Sequence, residues 1–213
     1  MEQTPITAID AIDTFLLLLI GIGPKLALVP FLEITASLDA ETKARVLRKM
    51  LVTAATVAIV LIVLGELLRV LLHFTVASLP VAGGIILLVQ AVGMVLGQSD
   101  SDSHHHKGGD PMQLAQVPLA VPYLLNPVGI VGLVTISAEA ASLSSLAVAL
   151  VCLGLVLLLD VAVFRWANHV SARLSPDRML VTEKVFGILI AAIAVQLVFE
   201  GLALAGVITA MPH

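Results

Sequence analysis

Two short stretches of this 213-residue sequence hold the residues best placed to bind a solute: Gly21-Ile22-Gly23-Pro24-Lys25 and Asn126-Pro127-Val128-Gly129. Each interrupts a long apolar run. Proline has no N–H and glycine accepts almost any backbone conformation, so each stretch predicts a break in a helix. A broken helix leaves amides and carbonyls free, and the amides at a helix start attract anions such as a carboxylate. The candidate substrate-binding residues are Gly21, Gly23, Pro24 and Lys25 in the first stretch and Asn126, Pro127 and Gly129 in the second, with Thr135 and Ser137 beyond it. Glycines here, Gly132 included, let a solute approach the backbone closely. Asn126, Thr135 and Ser137 add neutral donors and acceptors. For Thr135 and Ser137, hydrogen bonding between helices is an equal alternative.

Lys25 needs a reason, because a charge near the middle of a membrane span costs at least about 2.5–3.5 kcal/mol on insertion scales. It either meets a substrate carboxylate or a coupling proton, or it pairs structurally with Glu33, Glu66 or Asp160, or it snorkels to an interface. Asp160 and Arg165 fall toward the inner end of a later apolar run, with Trp166 beside them as an interface residue. Gln90 and Gln196 sit within apolar runs and face the interior on this reading. Gly93 and Gly97 form a small-xxx-small packing pattern.

The elements that must position these residues follow from composition. The chain is 59% hydrophobic and 12% charged, about half the charge of a soluble domain, and its mean hydropathy is +1.09. A span needs about 20 mostly apolar residues, and lipid offers a bare backbone no partners, which makes helices the expected form. Six spans are predicted, over residues 12–34, 51–74, 79–96, 117–137, 143–166 and 179–209; the first and fourth are interrupted. The net charge of −4 says less than its distribution. Lys43, Arg45, Arg48 and Lys49 lie between spans one and two, and Arg173, Arg178 and Lys184 between five and six. The other short links hold no Lys or Arg. The positive-inside rule then puts both termini outside the cytoplasm, in a plasma or inner membrane. Arg69 is the exception, and it stands three residues after Glu66, in reach for pairing. The first 13 residues hold acids and no Lys or Arg, which argues against a secretory leader. The single cysteine, Cys152, excludes an intrachain disulfide framework and reads as a packed small residue.

The two breaks are related by an offset. Pro24 and Pro127 are 127 − 24 = 103 positions apart, and so are Gly84 and Gly187. Gly84-Ile85, Ala91-Val92 and Val95 recur at that offset as Gly187-Ile188, Ala194-Val195 and Val198. Three spans per copy is an odd number, so the second copy must enter from the opposite side, and the basic links alternate accordingly. The division expected is residues 1–97 and 115–213 as two inverted three-helix repeats, joined by a polar cytoplasmic loop, 98–114. Interrupted helices at matching places in inverted repeats are the usual binding site of secondary transporters. A plain proline kink is the simpler alternative.

Other chemistry is thin. HExxH, GxSxG, Walker and Rossmann patterns are absent, so no catalytic residues and no enzyme are expected. The basic residues flank spans, which leaves no nucleic-acid footprint. Three adjacent histidines, His104 to His106, lie in the polar loop, but neighbours in sequence do not converge on one tetrahedral centre unaided. No metal site is assigned, and a solvated loop is the simpler reading.

Segments carrying this chemistry resemble those of the MarC family, the SnatA-type small neutral amino acid transporters with six inner-membrane spans. Gly23-Pro24-Lys25-Leu26-Ala27-Leu28-Val29-Pro30-Phe31-Leu32 resembles that family's N-P-x-G-x-x-P-x-F segment. Ala82-Gly83-Gly84-Ile85-Ile86-Leu87-Leu88 resembles its A-G-G-I-L-L segment. Val117-Pro118-Leu119-Ala120-Val121-Pro122, followed by Asn126-Pro127-Val128-Gly129, resembles P-L-A-x-P followed by G-P-G. Gly187 to Gly201 resembles its closing pattern. The departures are Gly23, Lys25 and Ala27 in the first motif and Asn126 in the second: the polar residue and the glycine have changed places between halves. The resemblance implies a transporter of small neutral amino acids of the glycine and alanine class, with no cofactor beyond a coupling proton or sodium ion. Its partners would be the solute and the bilayer, and an oligomer is compatible with it. A metal-ion or metabolite exporter and a non-transporting membrane partner protein are the alternatives.

Overall fold

The computed structural model describes residues 8–96, 110–140, 142–170 and 176–209. The His104–His106 stretch and Arg173 lie outside them. The described residues are helical: α1 (Ala8–Gly21), α2 (Pro24–Thr35), α3 (Ala40–Leu72), α4 (Ser78–Leu96), α5 (Pro111–Leu114), a widened π-type segment (Ala115–Leu124), α6 (Pro127–Glu139), α7 (Leu143–Val170) and α8 (Pro176–Leu204).

Proline and cap residues set the boundaries. Pro24, Pro111 and Pro127 each stand at a helix start, where the missing N–H would have had no helical acceptor. Asp39 starts α3 by accepting hydrogen bonds at Oδ2 from the amides of Glu41 and Thr42, both 3.1 Å. This helix begins well before the residue 51 expected for span two. Its 33 residues extend about 50 Å, more than the roughly 30 Å of hydrocarbon. Lys43, Arg45, Arg48 and Lys49 therefore ride on its first turns rather than in a loop. Ala, Glu, Lys, Arg and Leu are good helix formers, and a capped start lets them propagate.

The fourth run also differs from expectation. Asp110 caps α5 by accepting from the Met112 amide at 3.0 Å, so residues 111–114 leave the polar loop and join the helical part. Beyond them Val117 (φ −136, ψ 120) and Val121 (φ −136, ψ 122) are extended. Each precedes a proline, whose ring pushes its predecessor out of the helical region. Both X–Pro bonds are cis.

Among the described residues four helices are long and apolar enough to cross a membrane: α3, α4, Leu143–Ala167 within α7 and Gly187–Leu204 within α8. Ala11–Gly21 and Pro127–Ala138 are shorter apolar helices. The outer faces are apolar too: Val63 and Leu67 on α3, Ile86 and Val89 on α4, Leu155 and Leu158 on α7, and Ile188 on α8 are all exposed. Water does not tolerate apolar surface on that scale, whereas hydrocarbon requires it. The chain is an all-α integral membrane protein.

Inside, α1 and α2 pack on α7, on the widened segment and on α6, while α3 lies along α6, α7 and the widened segment. The most extensive helix contact is α4 with α8. Phe31 of α2 meets Phe164 of α7 edge to face, ring centroids 5.1 Å apart. Near the other end Ala11 and Phe15 of α1 line an apolar groove with Cys152 and Leu155 of α7. The α1 contact lies toward the start of α7 and the α2 contact toward its end, so the chain passing from α1 to α2 runs in the same direction as α7.

Candidate functional site

The two breaks lie against one another. The amide of Gly23 donates to the Leu124 carbonyl at 3.2 Å, and the amide of Asn126 donates to the Gly21 carbonyl at 3.0 Å. Between these bonds Ile22 and Leu125 form a single antiparallel bridge. The chain thus passes through its breaks in opposite directions. Gly21, Ile22, Gly23, Leu125, Asn126, Pro127 and Gly129 are all buried.

Glycine is required where the breaks cross. A Cβ on Gly21 would stand 2.6 Å from the Gly129 amide nitrogen and closer still to its Cα, and a Cβ on Gly129 would collide with the Gly21 carbonyl. These glycines admit the opposite backbone, whereas the sequence suggested that they admit a solute.

Asn126 does most of the polar work. It is 1% exposed. Its Oδ1 accepts from the Gly129 amide at 3.1 Å, capping α6, and its Nδ2 donates to the Ile20 carbonyl across the crossing at 3.1 Å. At the other break Gly23 is the cap residue of α2 and has no side chain to offer. The first amides of α2, those of Lys25 and Leu26, receive no capping bond. Lys25 is half-buried on this first turn, and among the described residues it has no hydrogen-bond or ion-pair partner. Of its three suggested partners, Glu66 is taken by Arg69, whose Nε and Nη2 each reach a carboxylate oxygen at 2.6 Å.

The remaining predicted residues lie elsewhere. Ser137 is ten residues beyond Pro127, about 15 Å along the axis, and its Oγ accepts from the Glu66 amide at 2.9 Å. Thr135 is half-buried on the same helix. Gly132 packs on Leu17. Gly97, the spacing partner of Gly93, lies outside the described residues, and Gly93 has open space where a Cβ would go, so it has no packing role within this chain. That role falls to Gly84 and Gly187, where α4 and α8 cross. A Cβ on Gly84 would stand 2.6 Å from the Ala194 carbonyl and 2.8 Å from Val198; one on Gly187 would stand 3.2 Å from the Ala91 carbonyl and 2.9 Å from Val95. Among the described residues no three His, Cys, Asp or Glu side chains gather as a metal site.

Two further buried polar groups stand out. Asp160 on α7 is fully buried and neither carboxylate oxygen has a hydrogen-bond partner; the Gln90 amide on α4 is buried in the same unpartnered way. The signal for Asp160 was a carboxylate inside the apolar run 143–166. The backbone of residues 20–23 and 124–126, which makes the crossing, left no signal of its own beyond the two prolines.

Comparison with known proteins agrees with this architecture. The model of the family described as MarC family integral membrane protein matches residues 9–205. The UPF0056 membrane protein MJ1677 of Methanocaldococcus jannaschii is 24% identical over 184 residues, covering 85% of this chain and 90% of that protein. The UPF0056 membrane protein YvbG of Bacillus subtilis is 23% identical over 177 residues, 81% of this chain and 84% of its own. A third, PH0760 of Pyrococcus horikoshii, is 23% identical over 198 residues, 91% and 96% of the two chains. No solved structure matches. With the family model spanning all but the two ends, the chain belongs to the MarC family of integral membrane proteins.

Proposed function

We propose that this protein is a secondary transporter of small neutral amino acids, of the glycine and alanine class, working by alternating access and driven by a proton or sodium gradient. On this reading it has six spans in two inverted three-helix repeats, with both termini outside the cytoplasm. One observation carries it: the crossing of the breaks maps onto itself under the 103-residue offset. Ile22 pairs with Leu125, and the bond from Gly23 to Leu124 exchanges with the bond from Asn126 to Gly21. Each exchange moves 103 positions. The α4–α8 crossing behaves alike, since Gly84 meets Ala194 and Val198 while Gly187 meets Ala91 and Val95. An antiparallel, self-reciprocal crossing is what two inverted copies produce at their shared axis. The solute class rests on the family resemblance. The uncapped start of α2, with unpartnered Lys25 on its first turn, suits the solute's carboxylate, and the carbonyls around the second break suit its ammonium group.

Proteoliposome uptake of labelled alanine and glycine tests this. Saturable flux is expected, and Lys25→Met should raise KM roughly tenfold or more, the worth of a charge-assisted hydrogen bond. Absence of saturable flux across a panel of small amino acids rejects the substrate class; unchanged kinetics in Lys25→Met removes that residue from the site.

A second reading, a non-transporting membrane partner protein, draws on the contact between Gly21 and Gly129, which fills the space between the breaks. A disulfide linking the breaks, from Ile22→Cys and Leu125→Cys, separates the two: a transporter stops when it is closed, and a scaffold is unaffected.

A further inference from the structure

Among the described residues Asp160 is a fully buried charged side chain that no interaction explains. An isolated carboxylate in apolar surroundings is far too costly to keep ionised, so such a group is neutralised or paired. Its own stripe on α7 is apolar: Cys152, Leu153 and Val156 on one side, Phe164 and Ala167 on the other, all buried. The helices packed on α7 are α1, α2 and α3. Among described side chains, α1 contributes Asp13, which is exposed. The core stripe of α3, from Val46 through Met50 and Ala54 to Ala58, is apolar. Of the charges on α3, Glu41, Arg45 and Arg48 are exposed, Lys43 and Lys49 lie at its start with one side open, and Glu66 and Arg69 pair near its far end. Arg165 on α7 itself is exposed. Glu33 on α2 is exposed as well.

That leaves Lys25. Phe31 sits at Phe164, so Asp160, one turn before Phe164, lies level with Ala27, one turn before Phe31, and Lys25 stands two residues further along α2, about 3 Å away in depth. Two unpartnered groups of opposite formal charge thus lie within about one turn of the same depth without forming an ion pair.

We propose that Asp160 is the proton-carrying group of the transport cycle. It holds a proton in the conformation described here and releases it to the aqueous phase on one side. Movement of the broken span against α7 would open that path and bring Lys25 round as counter-charge for the carboxylate. Reloading takes a proton from the other side, so one proton crosses per cycle. This proposal rests on the transporter reading for its cargo, but the proton itself can be observed without transport.

The test uses the full chain in bilayers, wild type and Asp160→Asn. Infrared difference spectra should show a protonated-carboxyl carbonyl band at neutral pH in the wild type that Asp160→Asn lacks. Since an amide mimics the neutral acid, the variant should melt at the wild-type temperature. In proteoliposomes it should keep alanine counterflow and lose accumulation driven by an imposed pH gradient. A missing band, a variant that fails to fold, a variant that loses counterflow, or one that still accumulates alanine under the gradient overturns the proposal. If the wild type moves no small amino acid at all, the transporter reading falls, and the infrared band still decides whether Asp160 holds a proton.

Discussion

The two breaks occupy equivalent places and share one bridge, yet they are built differently. At Leu125-Asn126-Pro127 the side chain of Asn126 caps the helix that follows and reaches across to the Ile20 carbonyl. At Ile22-Gly23-Pro24 there is no side chain at the cap position, the helix start is open, and a cation stands on its first turn. One break is capped by its own side chain; the other carries no side-chain cap. The exchange of polar residue and glycine between the halves follows from this geometry. A Cβ on Gly23 would lie 2.7 Å from the Leu19 carbonyl, so an asparagine there cannot mirror Asn126 without moving α1.

The strongest way to break the comparison is to separate the breaks. Gly129→Val places a side chain where the Gly21 carbonyl already is. Overpacking against backbone cannot be relieved by a rotamer change, so a loss of about 3 kcal/mol or more, or failure to fold, is expected. Thermal unfolding in detergent measures it. A melting temperature unchanged from the wild type would mean that the breaks are not in contact.

Next in size is Asn126→Ala. It removes the cap on Gly129, worth about 1 kcal/mol, and leaves the Ile20 carbonyl without its side-chain donor, which adds a cost of about 1–3 kcal/mol. A total of roughly 2–4 kcal/mol is expected by unfolding. Gly23→Asn should be worse than neutral, because the clash with Leu19 precedes any gain from a second cap. Were Gly23→Asn to stabilise the protein, the two breaks would be interchangeable and the asymmetry would carry no meaning.

How much of this was legible in the sequence depends on the residue. Pro24 and Pro127 announced their breaks because a missing N–H is a local property. The offset between them was legible too, since Gly84 and Gly187 repeat it. That the breaks touch was not, because Ile22 and Leu125 are ordinary apolar residues whose pairing is a matter of backbone placement. Ser137 looked like a site residue because a hydroxyl in an apolar run has several uses; only its distance from Pro127 and its bond to Glu66 locate it at the α3 interface. At Gly93 spacing named a helix face without saying which helix, if any, of this chain lies against it. Lys25 and Asp160 were visible as costly charges, and their nearness in depth depended on where α2 meets α7.

The smallest effect sharpens the contrast from outside the membrane. Three helix starts carry three kinds of cap: none at Gly23, a neutral amide at Asn126, and the exposed carboxylate of Asp39 at the start of α3. Hydrogen bonds from Thr42, then from Glu41, hold the Asp39 carboxyl below its ordinary range. A folded-state value lowered in this way gives stability that is present above the unfolded carboxylate range and is lost as pH falls through the folded value. Asp39→Asn keeps an acceptor at the cap and cannot titrate. It should therefore flatten the acid side of the stability profile while leaving stability at neutral pH nearly unchanged, as read from unfolding midpoints across the acid range. The cap at Asn126 has no such titration, so Asn126→Asp should introduce a pH dependence at the crossing that the wild type lacks. It should be most destabilising where the new carboxyl is ionised, because a buried carboxylate beside the Ile20 carbonyl faces an acceptor where the amide offered a donor. A profile for Asn126→Asp in which stability is instead lost as pH falls, as at Asp39, would place this cap in water and would remove the contrast between the buried break and the exposed helix start.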